Sequence, residues 1–184
     1  MSPARPTTYV ALLRGVNLGA RNKVPMPVLR SLVESLGHDD VRTYIQSGNV
    51  VFRSAGKSDL AGALEQAIAG EFGVKAAVVL RAGAELRKAI AANPFVAAGA
   101  DEKALHVVFL GSSPAKAAVK TLDPDRSPPD EFAVGRAEVY LHCPNGFGRS
   151  KLGVDYFERM LGGPATIRNW KTVTKLAEMT APGG

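Results

Sequence analysis

Apolar positions along this 184-residue chain come in short runs, and their spacing switches repeatedly between that of a strand and that of a helix. Residues 9–14, YVALLR, are a brief run of strand formers that ends in GVNLGARNK, a loop by its glycines and asparagines. Val28, Leu29, Leu32, Val33 and Leu36 then recur at helical spacing, with Pro25 and Pro27 near the start and Gly37 as the stop. VRTYIQ alternates, placing Val41, Thr43 and Ile45 on one face and Arg42, Tyr44 and Gln46 on the other. SGN signals a tight turn and VVFR a third strand. SDLAGALEQAIAGEFG reads as a second helix, opened by Ser58 or Asp59 and closed by Gly73, and VKAAVVL as a fourth strand. The order β-α-β-β-α-β is the ferredoxin-like arrangement, and it occupies residues 8–82.

Residues 83–180 repeat the rhythm without repeating the sequence. A linking helix over residues 84–92 stops before Pro94, ALHVVFL is a strand, and PAKAAVKTL is a helix. Three prolines make DPDRSPPD a loop, EFAVG and EVYLHC form a hairpin around Gly135 and Arg136, and CPNGFGRSK is a glycine-rich loop. GVDYFERMLGG is helical. ATIRNWKTVTKL reads as the opening of a last helix running to about Met179, with Asn169 as N-cap and Val173, Leu176 and Ala177 on one face. The predicted fold class is α+β in two packed halves: the first ferredoxin-like, the second a related α/β half completed by extra C-terminal helices. Residues 1–7 and 180–184 read as frayed ends.

Composition narrows the class. Apolar content of 46% with 22% charged residues is that of a soluble globular protein. Runs such as AAVVL and HVVFL fall far short of a bilayer span, and the polar residues 2–8 do not form a signal peptide. No membrane partner is expected. Cys143 is the only cysteine, so no disulfide forms within the chain and a reducing cytoplasm is expected. The net charge of +6 is unevenly spread. Residues 1–33 carry Arg5, Arg14, Arg21, Lys23 and Arg30 and no acid. Residues 145–176 carry Arg149, Lys151, Arg159, Arg168, Lys171 and Lys175 against Asp155 and Glu158. Such surfaces favour nucleotides, nucleic acid or other anions, although a basic face also arises simply as a solvated one.

Chain direction alternates in a βαββαβ sheet. The end of the first strand and the turn between the second and third therefore emerge at one edge. That brings Arg14, Asn17 and Lys23 near Gln46, Ser47 and Asn49, with Gly15, Gly19 and Gly48 permitting close backbone approach. Long cationic donors with short amide and hydroxyl groups suit a phosphate or carboxylate; the competing reading is that Gly48 and Asn49 only make the turn. Arg168 and Lys171 oppose the dipole of a helix starting at Asn169, and a bound anion would reverse that penalty. Lys151, after GFGRS, could join the same basic surface, and Trp170 reads as a packing anchor rather than a stacking platform.

Other motifs fail. GVNLGARNK sits between a strand and a helix, but Ala20 and Arg21 stand where a phosphate loop needs Lys and Ser or Thr. It also lacks the dinucleotide pattern. His38, His106 and His142 are scattered, and His142 and Cys143 point to opposite faces of one strand, so neither a metal site nor a Cys–His pair is indicated. No G-x-S-x-G elbow occurs. The third strand has Phe52 but not the basic-Gly-aromatic signature of RNA-recognition domains.

Three blocks, ALLRGVNLGARNKVPMPVLRSLVESLG, VRTYIQSGNVVF and SKLGVDYFERMLGGPATIRNWKTVTKL, resemble the bacterial family called domain of unknown function 1697. The resemblance implies a compact α+β protein of about this length, with no established activity, substrate or cofactor. Its characteristic polar positions fall on Arg14, Gly15, Asn17, Lys23, Thr43, Tyr44, Gln46, Ser47, Gly48 and Asn49, and on Lys151, Thr166, Arg168, Asn169 and Trp170. The leading expectation is a binding protein with a basic polar cleft for a nucleotide or nucleic acid. The alternatives are an enzyme acting on a small phosphorylated or carboxylated metabolite, with Arg14 and Arg168 as anion clamps and Ser47 or Tyr44 near the chemistry, and a module that meets an acidic protein. The cofactor is unknown.

Overall fold

In the computed structural model, which describes residues 5–56 and 59–183, the first apolar run becomes strand β1 (Thr7–Leu13). Helix α1 (Met26–Ser35) follows the loop at residues 14–25 and buries Met26, Leu29 and Val33; of the other apolar positions expected on its face, Leu32 is half-buried, while Val28 and the C-cap Leu36 are exposed. Strands β2 (Asp39–Tyr44) and β3 (Asn49–Ser54), helix α2 (Leu60–Phe72) and strand β4 (Val78–Ala82) complete the first sheet. Its order is β2-β3-β1-β4 and every neighbouring pair is antiparallel, the ferredoxin-like topology. Leu13, Leu29, Val33, Val50, Phe52, Leu64 and Ile68 form its core. Phe52 is fully buried and its ring lies against those of Tyr9 (5.9 Å) and His38 (4.8 Å). Asp59 caps α2 by accepting the N–H of Gly62 at 3.0 Å; Ser58, the other predicted opener, lies outside the described residues.

The chain divides into two compact units, Met1–Leu86 with Leu176–Gly184, and Arg87–Lys175. The described elements of the latter half are α3 (Gly83–Ala91), α4 (Pro94–Ala97), β5 (Leu105–Leu110), α5 (Lys116–Val119), β6 (Glu131–Val134), β7 (Glu138–His142), α6 (Val154–Leu161), β8 (Ala165–Asn169) and α7 (Trp170–Met179). Strand order in the second sheet is β6-β7-β5-β8, again antiparallel throughout. Val108, Leu110, Val139, Leu141, Phe157 and Leu161 are among its core residues.

Four expectations need correction. Residues 165–169 are not the opening of a helix but strand β8, paired with β5 so that Phe109 stands opposite Thr166 and His106 opposite Asn169. The strand is five residues long and passes into α7 without a loop, so the strong helical pattern after it masks it. With β8 in place, β5, α5, β6, β7, α6 and β8 make a βαββαβ order: α6 is its second helix, α3 and α4 precede it, and α7 alone follows it. Ile45 is not on a strand; its φ is +49° and it is half exposed, so the predicted alternation ends at Tyr44. Thr7 lies in β1 and Thr180 is buried, its hydroxyl donating to Ala177 O at 2.8 Å, so neither belongs to a frayed end. Within the first unit, Arg42 Nη2 donates to Met179 O at 2.8 Å and so satisfies a carbonyl at the end of α7.

The two units share bonds as well as topology. Leu13 N donates to Gly48 O (2.9 Å) and Arg14 N to Ala77 O (2.9 Å); in the second unit Leu110 N donates to Ala137 O (2.9 Å) and Gly111 N to Pro164 O (2.8 Å). What differs is the connection that follows. Residues 14–25 link β1 to α1, whereas residues 111–115, less than half as many, link β5 to α5.

Candidate functional site

That long loop is held in one conformation by two asparagines. Asn17 and Asn22 both adopt positive φ, +55° and +50°, a region that asparagine tolerates better than other side-chain-bearing residues. Asn17 N donates to Asn22 O (2.9 Å), and Leu18 and Arg21 form an isolated bridge between them. Asn22 Nδ2 donates to Gly15 O (3.0 Å). Asn17 does more: its Nδ2 donates to Val24 O (2.9 Å) and to Gln46 O (2.8 Å), and its Oδ1 accepts from Val24 N (2.8 Å). One amide thus closes the loop and ties it to the β2–β3 turn.

The turn is fixed from its other side. Gly48 has φ +83°, and a Cβ there would stand 2.6 Å from Val16 Cγ2 and 2.8 Å from Leu13 Cβ. Asn49 is fully buried, and its Nδ2 donates to Tyr44 O and Ser47 Oγ, both at 2.9 Å. The adjacency predicted for residues 14–23 and 46–49 is therefore present. The amides of Asn17 and Asn49 build it: both Nδ2 hydrogens of each are engaged on protein acceptors.

What projects is a different set. Residues 18–23 are all exposed, as are Ile45 and Gln46. Among the described residues, the side chains of Arg21 and Lys23 have no hydrogen-bond or ion partner, while half-buried Arg14 and Ser47 have partners within the protein. Helix α1 begins beside them with Pro25 at the N-cap, no side-chain cap and no acid in its first turn. Residues 14–25 and 45–49 contain no carboxylate, imidazole or thiol. The set can bind and orient an anion. Sequence reasoning passed over Arg21, Leu18 and Ile45 as site residues. Leu18, a lone large aliphatic in a polar loop, was the available signal.

The remaining predicted residues lie in the second unit. Arg168 is not at a helix start. It sits on β8 opposite Val107, 7% exposed, with Nη1 donating to Thr166 Oγ1 (2.6 Å) and Ile167 O (2.8 Å). Burial pushes its guanidinium down to about 10. Asn169, the next residue along the strand, faces the opposite way, and its Oδ1 accepts Thr172 N at 2.9 Å, the predicted N-cap. Lys171 is exposed in the first turn of α7. The expected cluster of Arg168 with Lys171 on one helix therefore does not form, because a strand separates a buried from an exposed cation. Lys151 is exposed; its backbone accepts from Arg126 Nε (3.0 Å) and donates to Ser127 Oγ (3.0 Å). Trp170 is buried, as packing requires. Burial raises the thiol of Cys143 and lowers the imidazole of His106, whose Nδ1 is enclosed without a hydrogen-bond partner and whose ring stacks on Phe147 at 4.6 Å. Among the described residues no group of three or more His, Cys, Asp or Glu side chains is arranged to hold a metal, and no helix is long and apolar enough to cross a membrane.

Comparison with known proteins agrees with the fold. The solved structure of conserved bacterial protein SP0830 from Streptococcus pneumoniae superposes with a TM-score of 0.74 at 24% sequence identity, covering 96% of this chain and 100% of that one. No curated protein matches. The family model described as "Protein of unknown function (DUF1697)" matches residues 7–140, a span that contains the loop, the turn and both asparagine clasps and ends before Lys151. The chain belongs to that family.

Proposed function

We propose that the first unit binds a phosphate-bearing ligand, a nucleotide or nucleic acid, at the loop of residues 14–25 and the β2–β3 turn. One observation carries the reading. A loop held by seven-residue and longer-range clasps presents the exposed side chains of Arg21 and Lys23, which have no ion partner among the described residues. A solvated basic face needs no such clasps, because flexible lysines and arginines solubilise equally well. The matching connection of the second unit, GSSPA at residues 111–115, carries no cation. Arg14 and Ser47, at the base of the loop and in the turn, are the groups that would meet an anion closer in. A cytoplasmic setting goes with this reading, since the one cysteine has nothing to pair with in the chain.

The test is affinity against salt for inorganic phosphate, a nucleotide panel and short nucleic acids. Two phosphate contacts on a duplex give a slope of about −1.8 in log K against log salt, so a fourfold rise in salt weakens binding about twelvefold. Removing one contact, as in Lys23→Gln, reduces that loss to about 3.5-fold. Affinity for none of these anions at low salt removes the reading.

A further inference from the structure

We infer that the partner of this site is double-stranded DNA, with Leu18 and Ile45 inserted into a groove and Arg21 and Lys23 on the flanking phosphates; this rests on the anion-binding reading above. The shape of the site argues for size. Small-ligand sites are concave and bury most of their ligand. Here residues 18–23 are exposed in succession, with Leu18 at 67% and Ile45 at 50%, so these side chains are not enclosed as a small ligand's site would be. Side chains so exposed bind by entering their partner.

Leu18 and Ile45 also need a reason. They are the most exposed large hydrophobic residues among those described, and they occupy different loops. The Asn17–Gln46 hydrogen bond joins those loops one residue from each. Two exposed aliphatic residues next to the bonded positions, with exposed Arg21 and Lys23 in the same loop as Leu18, put apolar and cationic groups on one pair of linked loops. Single strands are gripped by aromatic stacking, and residues 14–25 and 45–49 contain no aromatic ring. Proteins that enter the minor groove instead insert aliphatic wedges such as Leu and Ile between base steps, with Arg and Lys alongside. A wedge must keep its shape while it unstacks bases, and the asparagine clasps supply that rigidity without an ordering cost on binding.

The test uses the full chain and a short fluorescein-labelled DNA duplex, followed by anisotropy, with a second duplex end-labelled for energy transfer. The duplex is expected to bind more tightly than either of its strands and to bend. Leu18→Ser should weaken duplex binding at least about tenfold, abolish the bend and leave the salt slope unchanged. Arg21→Gln should lower the slope by about 0.9 and leave the bend in place. Both side chains are exposed, and thermal melts confirm folding; Ile45→Thr is an independent variant with the same expected effect as Leu18→Ser. Equal affinity for duplex and single strand, with Leu18→Ser silent, overturns the inference. So does preference for phosphatidylserine vesicles, polyglutamate or an RNA duplex. Binding of a mononucleotide or phosphate without the duplex overturns this inference while leaving the proposed function standing, and failure of every anion removes both.

Discussion

Replacing Gly48 by alanine tests the joint on which the candidate site depends. The added methyl would meet Val16 Cγ2 at 2.6 Å and Leu13 Cβ at 2.8 Å, well inside van der Waals contact. Neither neighbour can retreat, because Leu13 is 1% and Val16 2% exposed. Overpacking of this kind costs about 1–3 kcal/mol. The backbone adds its own penalty: φ is +83°, where a residue with a Cβ is strained by about 1–2 kcal/mol. The sum is about 2–5 kcal/mol, and it acts on the turn whose carbonyl, Gly48 O, receives Leu13 N. Urea unfolding followed by far-ultraviolet circular dichroism reads the loss. Gly70→Ala is the internal control. Gly70 is exposed within α2, a methyl added there would have no atom within 4 Å, and its φ is not positive, so alanine should stabilise by about 0.5–1 kcal/mol. A Gly48→Ala protein as stable as the parent would refute the close-packed turn.

Two further outcomes follow from the second unit. Asn169→Ala removes the acceptor of Thr172 N at the start of α7 and should cost about 1 kcal/mol, read as a lowered thermal midpoint; an unchanged midpoint would count against the cap. His106 has its pKa lowered by burial, so the unfolded chain binds its proton more readily than the folded one. Its stabilising contribution is therefore present above the ordinary value of 6.5 and is lost as pH falls below it. Melts across that window should show a steeper acid-side decline for the parent than for His106→Gln, and parallel curves would contradict the assignment.

Much of the fold was legible because each element carried an unshared signal. Helix α1 had proline at its start and regular apolar spacing, and the β6–β7 hairpin had Gly135 and Arg136 between two strand-forming runs. Strand β8 had none of its own: five residues run directly into α7, and only the ladder to β5 reveals them. The approach of the loop to the β2–β3 turn followed from topology alone. Which side chains it turns outward did not. Asn17 and Asn49 have the composition of ligand groups and the geometry of clasps, a distinction set by backbone carbonyls up to 29 residues away. Arg168 reads as a surface cation until β8 places it in the sheet.

The most direct measurement is a titration of the isotopically labelled protein with duplex DNA at low salt, following backbone amide shifts by nuclear magnetic resonance. The largest shifts should fall at residues 18–23 and 45–46, saturate together and collapse as salt is raised. Shifts centred elsewhere would contradict the assignment of anion binding to this loop, and none at any concentration would contradict duplex DNA as its ligand.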